Sequence, residues 1–360
     1  MNLFSASTQW ATRPDDDRYT TLEDLREAVE ARKDQSWTSV NSAKDLRMRV
    51  DDGLIVNAYD TTKGEIRALT PTHWAFSQLA GYAQAPAAYL RRLPSDLAAI
   101  NLQWGLEHSP IRPDSLILGQ SNGSDVLRSM TSTSYGRIWD REVVEAVQRA
   151  NSDGHWKIPA SSYSTQNPRR ATTLYASDHD VFIFLVDPER PIEVGGETLF
   201  RGFLAWNSEV GASVFGLSTF LYRYVCDNRI IWGATQVNEL RIRHTSGAPE
   251  RFAYEGETYL QRYSNESTAQ IEDTVRRAQA YELRDAEKPG MGWDKWLQAR
   301  GFAQGQAKSA IDSAIAEEGQ ARSLWDIVNG ITASARTITR TDDRVKLETA
   351  AGRLLDTVNA

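Results

Sequence analysis

The chain changes character near residue 256, and this change restricts the folds it can adopt. Before that point, short apolar runs such as 181–186 (VFIFLV) and 198–206 (TLFRGFLAW) alternate with turns rich in Gly, Asn and Asp, a pattern typical of strands. After it, apolar residues recur at helical spacing over 259–284 and 293–316. Strands followed by a series of helices predict an α+β fold.

We therefore expect an antiparallel sheet core with flanking helices and a helical C-terminal part. A chain of 360 residues holds one large domain or two ordinary ones, because single hydrophobic cores stop growing at roughly 250 to 300 residues. The change in character predicts a mixed α+β body over residues 1–255 and a helical region over residues 256–360.

Turn and cap residues predict individual elements of the body. Residues 51–53 (DDG) and 122–123 (NG) each lie between two strand-like runs, which predicts two hairpins. Thr21 and Asp24 have the spacing of a capping pair at the start of a helix. The run 215–225 (FGLSTFLYRYV) fits either a buried strand or a helix, because periodicity alone does not separate the two.

Cysteine content, charge and hydropathy exclude several classes of protein. Cys226 is the only cysteine, which excludes a disulfide within the chain and a zinc site built from several thiolates. The formal net charge of -7 argues against a basic surface all round but leaves room for a local basic groove. Residues 1–10 lack a signal-peptide pattern, and no window approaches the roughly 18 apolar residues of a membrane helix. We expect a cytoplasmic protein with no membrane partner.

Motifs whose spacing fixes a reaction are missing from the sequence. There is no phosphate-binding Gly-Lys loop, dinucleotide glycine pattern or nucleophile-elbow serine. Residues 178–180 (Asp-His-Asp) favour a turn over a metal site, because adjacent side chains rarely converge on one ion. We expect no cofactor, no metal site and no catalysis. An enzyme with an unfamiliar site, such as a nuclease using the carboxylates at 15–17, 51–52 or 342–343, stays an open alternative.

Several segments carry a resemblance to a known family. The most specific are 207–211 (NSEVG), 220–226 (FLYRYVC) and 228–233 (NRIIWG), and segments 72–93 and 127–135 also match. In these segments the chain resembles the phage/plasmid-like proteins of unknown function carried on prophages and plasmids. The resemblance implies a place in mobile DNA, near recombination and anti-defence functions, and it implies no mechanism.

Arginines alternate with aromatic residues in and around the signature region of this family, residues 170–248. Proteins bind single-stranded nucleic acid with cations along the phosphates and aromatic rings under the bases, where stacking contributes about 1 to 3 kcal/mol per base. We therefore predict a nucleic-acid site. The candidate residues are Arg169, Arg170, Arg201, Trp206, Arg223, Arg229, Trp232, Arg241 and Arg243.

The same residues also fit a purely structural role, with the aromatic rings in the core and the arginines paired to acidic neighbours such as Glu209. In a regular strand, Arg201 and Trp206 point to opposite faces and cannot line one groove together. Arg241 and Arg243 share a face, which favours an arginine-lined edge.

The leading functional hypothesis is a nonenzymatic mobile-element protein that binds or anneals single-stranded DNA during recombination or replication. Annealing would also require a homo-oligomer, by analogy with the rings that phage annealing recombinases form. The alternative is a protein that binds and inhibits a host defence enzyme, which needs no nucleic-acid groove and agrees with the acidic net charge.

Overall fold

The protein is an α+β molecule with two sheets, as a computed structural model shows. The predicted fold class and the helical C-terminal part are confirmed. The structure describes residues 14–108, 114–158, 172–223, 228–230, 240–283, 292–335, 347 and 350–358.

Helices surround both sheets and dominate the C-terminal third. They are α1 (Leu22–Asp34), α2 (His73–Tyr82), α3 (Ala87–Leu90), α4 (Ser95–His108), α5 (Asp140–Ala150), α6 (Ala248–Arg251), α7 (Glu257–Asn265), α8 (Ala269–Ala280), α9 (Trp293–Gln298), α10 (Gln304–Glu318) and α11 (Leu324–Ala335). A π-helical turn, Phe252–Gly256, joins α6 to α7, so residue 256 lies inside a continuous helical run.

The strands of the first sheet are β2 (Ser36–Ser42), β3 (Arg47–Val50), β4 (Leu54–Asp60), β5 (Glu65–Pro71), β6 (Asp114–Asn122) and β7 (Ser124–Thr131). Those of the second are β1 (Arg18–Tyr19), β8 (Leu174–Ala176), β9 (Val181–Val186), β10 (Ile192–Val194), β11 (Glu197–Asn207), β12 (Phe215–Arg223), β13 (Asn228–Ile230) and β14 (Leu240–Ile242). The run 215–225 is therefore a strand over residues 215–223.

The local predictions from turn and cap residues are confirmed. The Thr21 side chain accepts a hydrogen bond from the backbone N–H of Asp24 at 3.0 Å and caps α1. Gly53 and Gly123 adopt φ of 137° and 71° in the two predicted hairpins, β3-β4 and β6-β7. Glycine suits both turns because it has no Cβ to oppose a positive φ.

The first sheet has the strand order β2-β6-β7-β5-β4-β3. Only the short 3-10 turn Ala43–Asp45 separates β2 from β3, so the two form the halves of one bent strand. The first half pairs with β6 and the second half pairs with β4. Strands β5 and β7 run parallel, and helices α2 to α4 connect β5 to β6.

Side chains close this sheet into a barrel between β2 and β4. The amide of Asn41 donates to the Tyr59 carbonyl at 3.0 Å and accepts from the Tyr59 N–H at 2.8 Å, as a neighbouring strand would. The hydroxyl of Ser39 adds a bond to the same carbonyl at 2.7 Å. Counted with its bent first strand, this barrel has the five strands and the closure of an OB fold, a Greek-key barrel. We call it the N-terminal barrel, residues 36–131.

The barrel was not predicted, because the sequence indicates its hairpins but not their assembly. An antiparallel sheet was expected, and the β5-β7 pairing is parallel. The remaining pairings that the structure describes are antiparallel.

The second sheet is buried on both faces. Helices α1, α5 and the α6-α7 run cover one face, where residues such as Val29, Val144 and Leu260 pack with Ile183 and Phe203. An aromatic cluster occupies the other face, and it contains Phe182, Phe184, Trp206 and Phe220. Helices α8 to α11 pack with β10, β11 and β12 in a third core.

The C-terminal helices are shorter than their sequence patterns predict. The run 259–284 is divided between α7 and α8, and the run 293–316 between α9 and α10. Gly301, at φ 91°, lies in the second break. Apolar spacing continues through both breaks because each helix buries an apolar face, α7 in the core on one face of the second sheet and α8 to α10 in the third core.

Replacing Asn41 by Ala should open the barrel between β2 and β4. The substitution removes both hydrogen bonds to Tyr59 and takes the Asn41 partner from its N–H, while its carbonyl keeps the bond from the Ser39 hydroxyl. The loss should lower the free energy of unfolding by about 1 to 3 kcal/mol. Urea denaturation of the full chain measures this loss. Thr38→Ala, at an exposed position of the same strand, is the control. Equal effects of the two substitutions would contradict the closure.

Candidate nucleic-acid interface

Arg201 lies inside the protein, where an acidic side chain and backbone carbonyls contact its guanidinium. It is buried at 2% exposure, and its guanidinium lies 3.5 Å from the Asp187 carboxylate. It also donates to the backbone carbonyls of Tyr263 and Glu266, at 3.1 and 2.9 Å. These bonds attach the end of α7 to the sheet. A phosphate group cannot reach Arg201 in this arrangement.

Trp206 is also fully buried, on the opposite face of β11 from Arg201. Gly216 of β12 lies directly beside it, and a Cβ at this glycine would come within 2.0 Å of the indole. The alternation inferred from the sequence is therefore present, with Phe203 in one core and Trp206 in the other. Neither residue is available to stack under a base.

Arg241 and Arg243 are the exposed members of the predicted set that the structure describes with their side chains. Arg241 lies in β14, where it is opposite Gly216, and its guanidinium is 6.0 Å from the Trp206 ring. Arg223 and Arg229 have described backbones in the paired strands β12 and β13. Arg169, Arg170 and Trp232 lie outside the described residues.

A second exposed surface, not predicted from the sequence, lies on the outside of the N-terminal barrel. Tyr59 of β4 and Ile66 of β5 form a directly opposed pair and are 47% and 71% exposed. The next pair on this face is Asn57 with Ala68. In OB folds, the face of the second and third strands binds oligonucleotides and oligosaccharides. With β2 and β3 counted as one bent strand, β4 and β5 are the second and third strands of the N-terminal barrel.

Cations border this surface along β3. Arg47 lies opposite Asn57 and Arg49 opposite Ile55, so both arginines project from the same face as Tyr59. Both are exposed. Arg49 pairs with the exposed Asp51 at 3.6 Å, an ion pair of the kind that contributes little and exchanges readily. We call residues Arg47, Arg49, Ile55, Asn57, Tyr59, Ile66 and Ala68 the barrel face.

The sequence contains a signal for this face. The run 46–50 (LRMRV) alternates arginines with apolar residues, which places Arg47 and Arg49 on one side of a strand. This run predicts the hairpin, but its spacing alone does not show that its arginines share a surface with Tyr59. Only the pairing of β3 with β4 brings them together.

A buried ion pair joins the barrel to the second sheet. Arg128 in β7 lies 2.8 Å from Glu209, which follows β11, and both are at most 2% exposed. The other oxygen of Glu209 accepts the backbone N–H of Asp140 at the start of α5. Glu209 therefore pairs with Arg128, not with the arginines of the predicted set. We call this region the junction.

The junction also fixes the backbone after β11. Tyr135 donates its hydroxyl hydrogen to the carbonyl of residue 208 at 2.8 Å, Arg137 donates to that of residue 209, and Gln78 to that of residue 210 at 2.7 Å. A cavity of about 420 Å³ lies beside Tyr135 and Gln78. The described residues that line it offer amides and hydroxyls but no carboxylate.

Burial shifts the ionisation of several groups around the junction. It raises the pKa of Asp140 well above its usual value, and the neighbouring Glu209 carboxylate acts in the same direction. It lowers the pKa of Arg137 to about 10. It also lowers the pKa of His244 to about 4, since the imidazole stacks on Tyr135 away from water. These pKa shifts follow mainly from desolvation, and they make the stability of the folded protein depend on pH.

Residues 178–180 form a turn in which the Ser177 hydroxyl accepts the N–H of His179 and of Asp180, both at 3.2 Å. Among the residues that the structure describes, no cluster of His, Cys, Asp or Glu has the arrangement to hold a metal ion. Within the same residues, no helix has both the length and the apolar character needed to cross a bilayer.

Family comparison classifies the chain. Residues 128–360 match the family described as Domain of unknown function (DUF932). The chain belongs to this family. No curated protein and no solved structure matches it significantly. The DUF932 region begins at Arg128 itself, so it includes the Arg128–Glu209 ion pair, strands β8 to β14 of the second sheet and the C-terminal helices. Most of the N-terminal barrel lies upstream of it.

His244→Gln should make the protein less sensitive to acid. The folded state holds the pKa of His244 at about 4, below its ordinary value, so the unfolded chain binds a proton that the folded protein does not. The free energy of unfolding therefore has its full value above about pH 6.5. It decreases by up to about 3 kcal/mol as the pH falls towards 4. Urea midpoints measured between these pH values should fall less for the variant than for the parent.

His108→Gln, at the exposed end of α4, is the control and should behave as the parent does. Parallel curves of urea midpoint against pH for all three proteins would contradict the prediction.

Proposed function

We propose that this protein binds single-stranded DNA without catalysing a reaction, in the recombination or replication of a mobile element. The observation that carries the proposal is the exposed Tyr59 and Ile66 pair, on the face with which OB folds bind oligonucleotides. Single-strand binding uses aromatic rings together with cations on one face, since the ring stacks under a base and the cations contact phosphates.

The charge of the protein agrees with a local site. A chain of net charge -7 repels nucleic acid over most of its surface, so binding requires a patch where cations and rings coincide. Arg47 and Arg49 supply this patch on the barrel face. The resemblance to phage/plasmid-like proteins supports the mobile-element setting.

Arg241 in β14 and Arg243 directly after it supply a second, smaller cationic edge. In the proposed function this edge contributes phosphate contacts but no stacking, because the nearby Trp206 is buried. The two surfaces can be tested separately, because they lie on different strands of different sheets.

Tyr59→Ala should weaken binding to a single-stranded oligonucleotide by about 5- to 150-fold, the equivalent of one lost base stack. Fluorescence anisotropy at low salt measures this, with a duplex of the same sequence as the comparison. Tyr254→Ala removes another exposed tyrosine, outside the barrel, and should bind as the parent does. Absence of binding by the parent at low salt would overturn the proposal. Capture of a host protein would then be the leading hypothesis.

The double variant Arg47→Ala with Arg49→Ala should reduce the dependence of affinity on salt. Each cation that contacts a phosphate of a single strand adds about 0.7 to the slope of log K against log salt, so the slope should fall by about 1.4. Arg241→Ala with Arg243→Ala should have a smaller effect on affinity and none on stacking. Arg262→Ala, at an exposed position of α7, is the control. If only the β14 pair changes the slope, the interface lies on β14 and not on the barrel face.

A further inference from the structure

Helix α4 carries two apolar faces, and only one of them is buried against the parts of the chain that the structure describes. Ala98, Leu102 and Leu106 are buried in the barrel core or at its edge. Ile100 and Trp104 point outward and are 63% and 64% exposed. A surface helix of a globular protein ordinarily has a single apolar stripe, with polar residues opposite.

The exposed residues form a continuous stripe. Leu97, Ile100 and Trp104 follow one another at spacings of three and four, which places them on one side of the helix, and Leu97 is also exposed. Exposed Tyr89 lies on the preceding helix, α3. Scattered apolar residues are normal on surfaces, but a stripe with tryptophan and isoleucine is typical of a protein interface.

The stripe is held on a rigid element. The Gln103 side chain accepts the backbone N–H of Met48 at 2.8 Å and donates to the Leu46 carbonyl at 3.2 Å. Together with the buried face of α4, these bonds fix the helix on the barrel. The exposed stripe therefore keeps its orientation and does not fold inward.

We propose that α4 pairs with α4 of a second copy of this chain to form an antiparallel homodimer. Ile100 lies between Leu97 and Trp104, so a two-fold axis near Ile100 places Trp104 against the partner's Leu97 and Ile100 against the partner's Ile100. Such an isologous contact uses one patch on both copies. Residues spaced by three and four along two helices also interlock at a shallow crossing angle.

Charges at the two ends of the stripe agree with the antiparallel arrangement. Arg92 and Asp96 lie at the N-terminal end, and Glu107 and His108 at the C-terminal end, all exposed. An antiparallel copy about Ile100 places Arg92 near the partner's Glu107, so opposite charges meet at both ends of the contact. A parallel copy would instead place each charged residue near the same residue of the partner, and like charges in contact are unfavourable.

The size of the patch predicts a reversible dimer. The four exposed side chains supply on the order of 500 Å² per copy, compared with about 800 Å² per partner in a standard interface. The dimer therefore forms through a small apolar centre with a charged rim. The inference does not depend on DNA binding, because α4 and the barrel face share no residue.

The test is the molar mass of the full chain in solution, measured by sedimentation equilibrium over a wide range of concentrations. The parent should change from monomer to dimer as concentration rises. Ile100→Glu places two carboxylates at the two-fold axis and should weaken the dimer by ~100-fold or more. Ile315→Glu, at an exposed isoleucine of α10, is the matched control and should dimerise as the parent does.

A second measurement reports the geometry. Ile100→Cys places two thiols near the two-fold axis, and a mild oxidant should crosslink them into a dimer, whereas Ile315→Cys should stay uncrosslinked. The crosslink is tested in chains that also carry Cys226→Ser. A parent that is monomeric at every concentration would overturn the proposal. So would equal effects of Ile100→Glu and Ile315→Glu.

Discussion

The ion pair between Arg128 and Glu209 determines how the two halves of the molecule meet. Moving either charge out of water costs several kcal/mol, so each must find its partner in the folded protein. Arg128 lies within the last barrel strand, and Glu209 follows the longest strand of the second sheet. Because Glu209 also accepts the first N–H of α5, one carboxylate aligns a barrel strand, a sheet strand and a helix. Tyr135, Arg137 and Gln78 donate to the backbone carbonyls of residues 208 to 210. These hydrogen bonds fix the backbone around Glu209.

This arrangement separates structural arginines from surface arginines. Arg201 is bonded to Asp187 and to the end of α7, and Trp206 is enclosed by its own sheet, so two central members of the predicted nucleic-acid site belong to the core. On the barrel face, Arg47, Arg49 and Tyr59 have the opposite character, because they point away from a barrel that is already filled. The surface with the strongest case for binding DNA is therefore upstream of the region that defines the family.

The proposed activities share that location. The DUF932 region covers residues 128–360, whereas the barrel face and the exposed stripe of α4 lie before residue 109. The DUF932 region supplies Glu209 and strands β8 to β14 of the large buried sheet, and the barrel with its helices supplies the exposed apolar groups of both proposed surfaces. A dimer through α4 would bring two barrel faces into one assembly, which raises the effective concentration of the second site for a strand held by the first.

The sequence by itself determined the α+β class, both hairpins, the cap of α1 and the opposite directions of Arg201 and Trp206, because each follows from contacts between residues close in the chain. Only the tertiary structure decided that β2 and β3 form one bent strand, that Asn41 closes a barrel on Tyr59, and that 215–223 is a strand. Those features depend on partners far away in sequence. Arginines and aromatic rings alternate in the same way whether they face solvent or a core, and only the packing of the second sheet shows that Arg201 and Trp206 are buried.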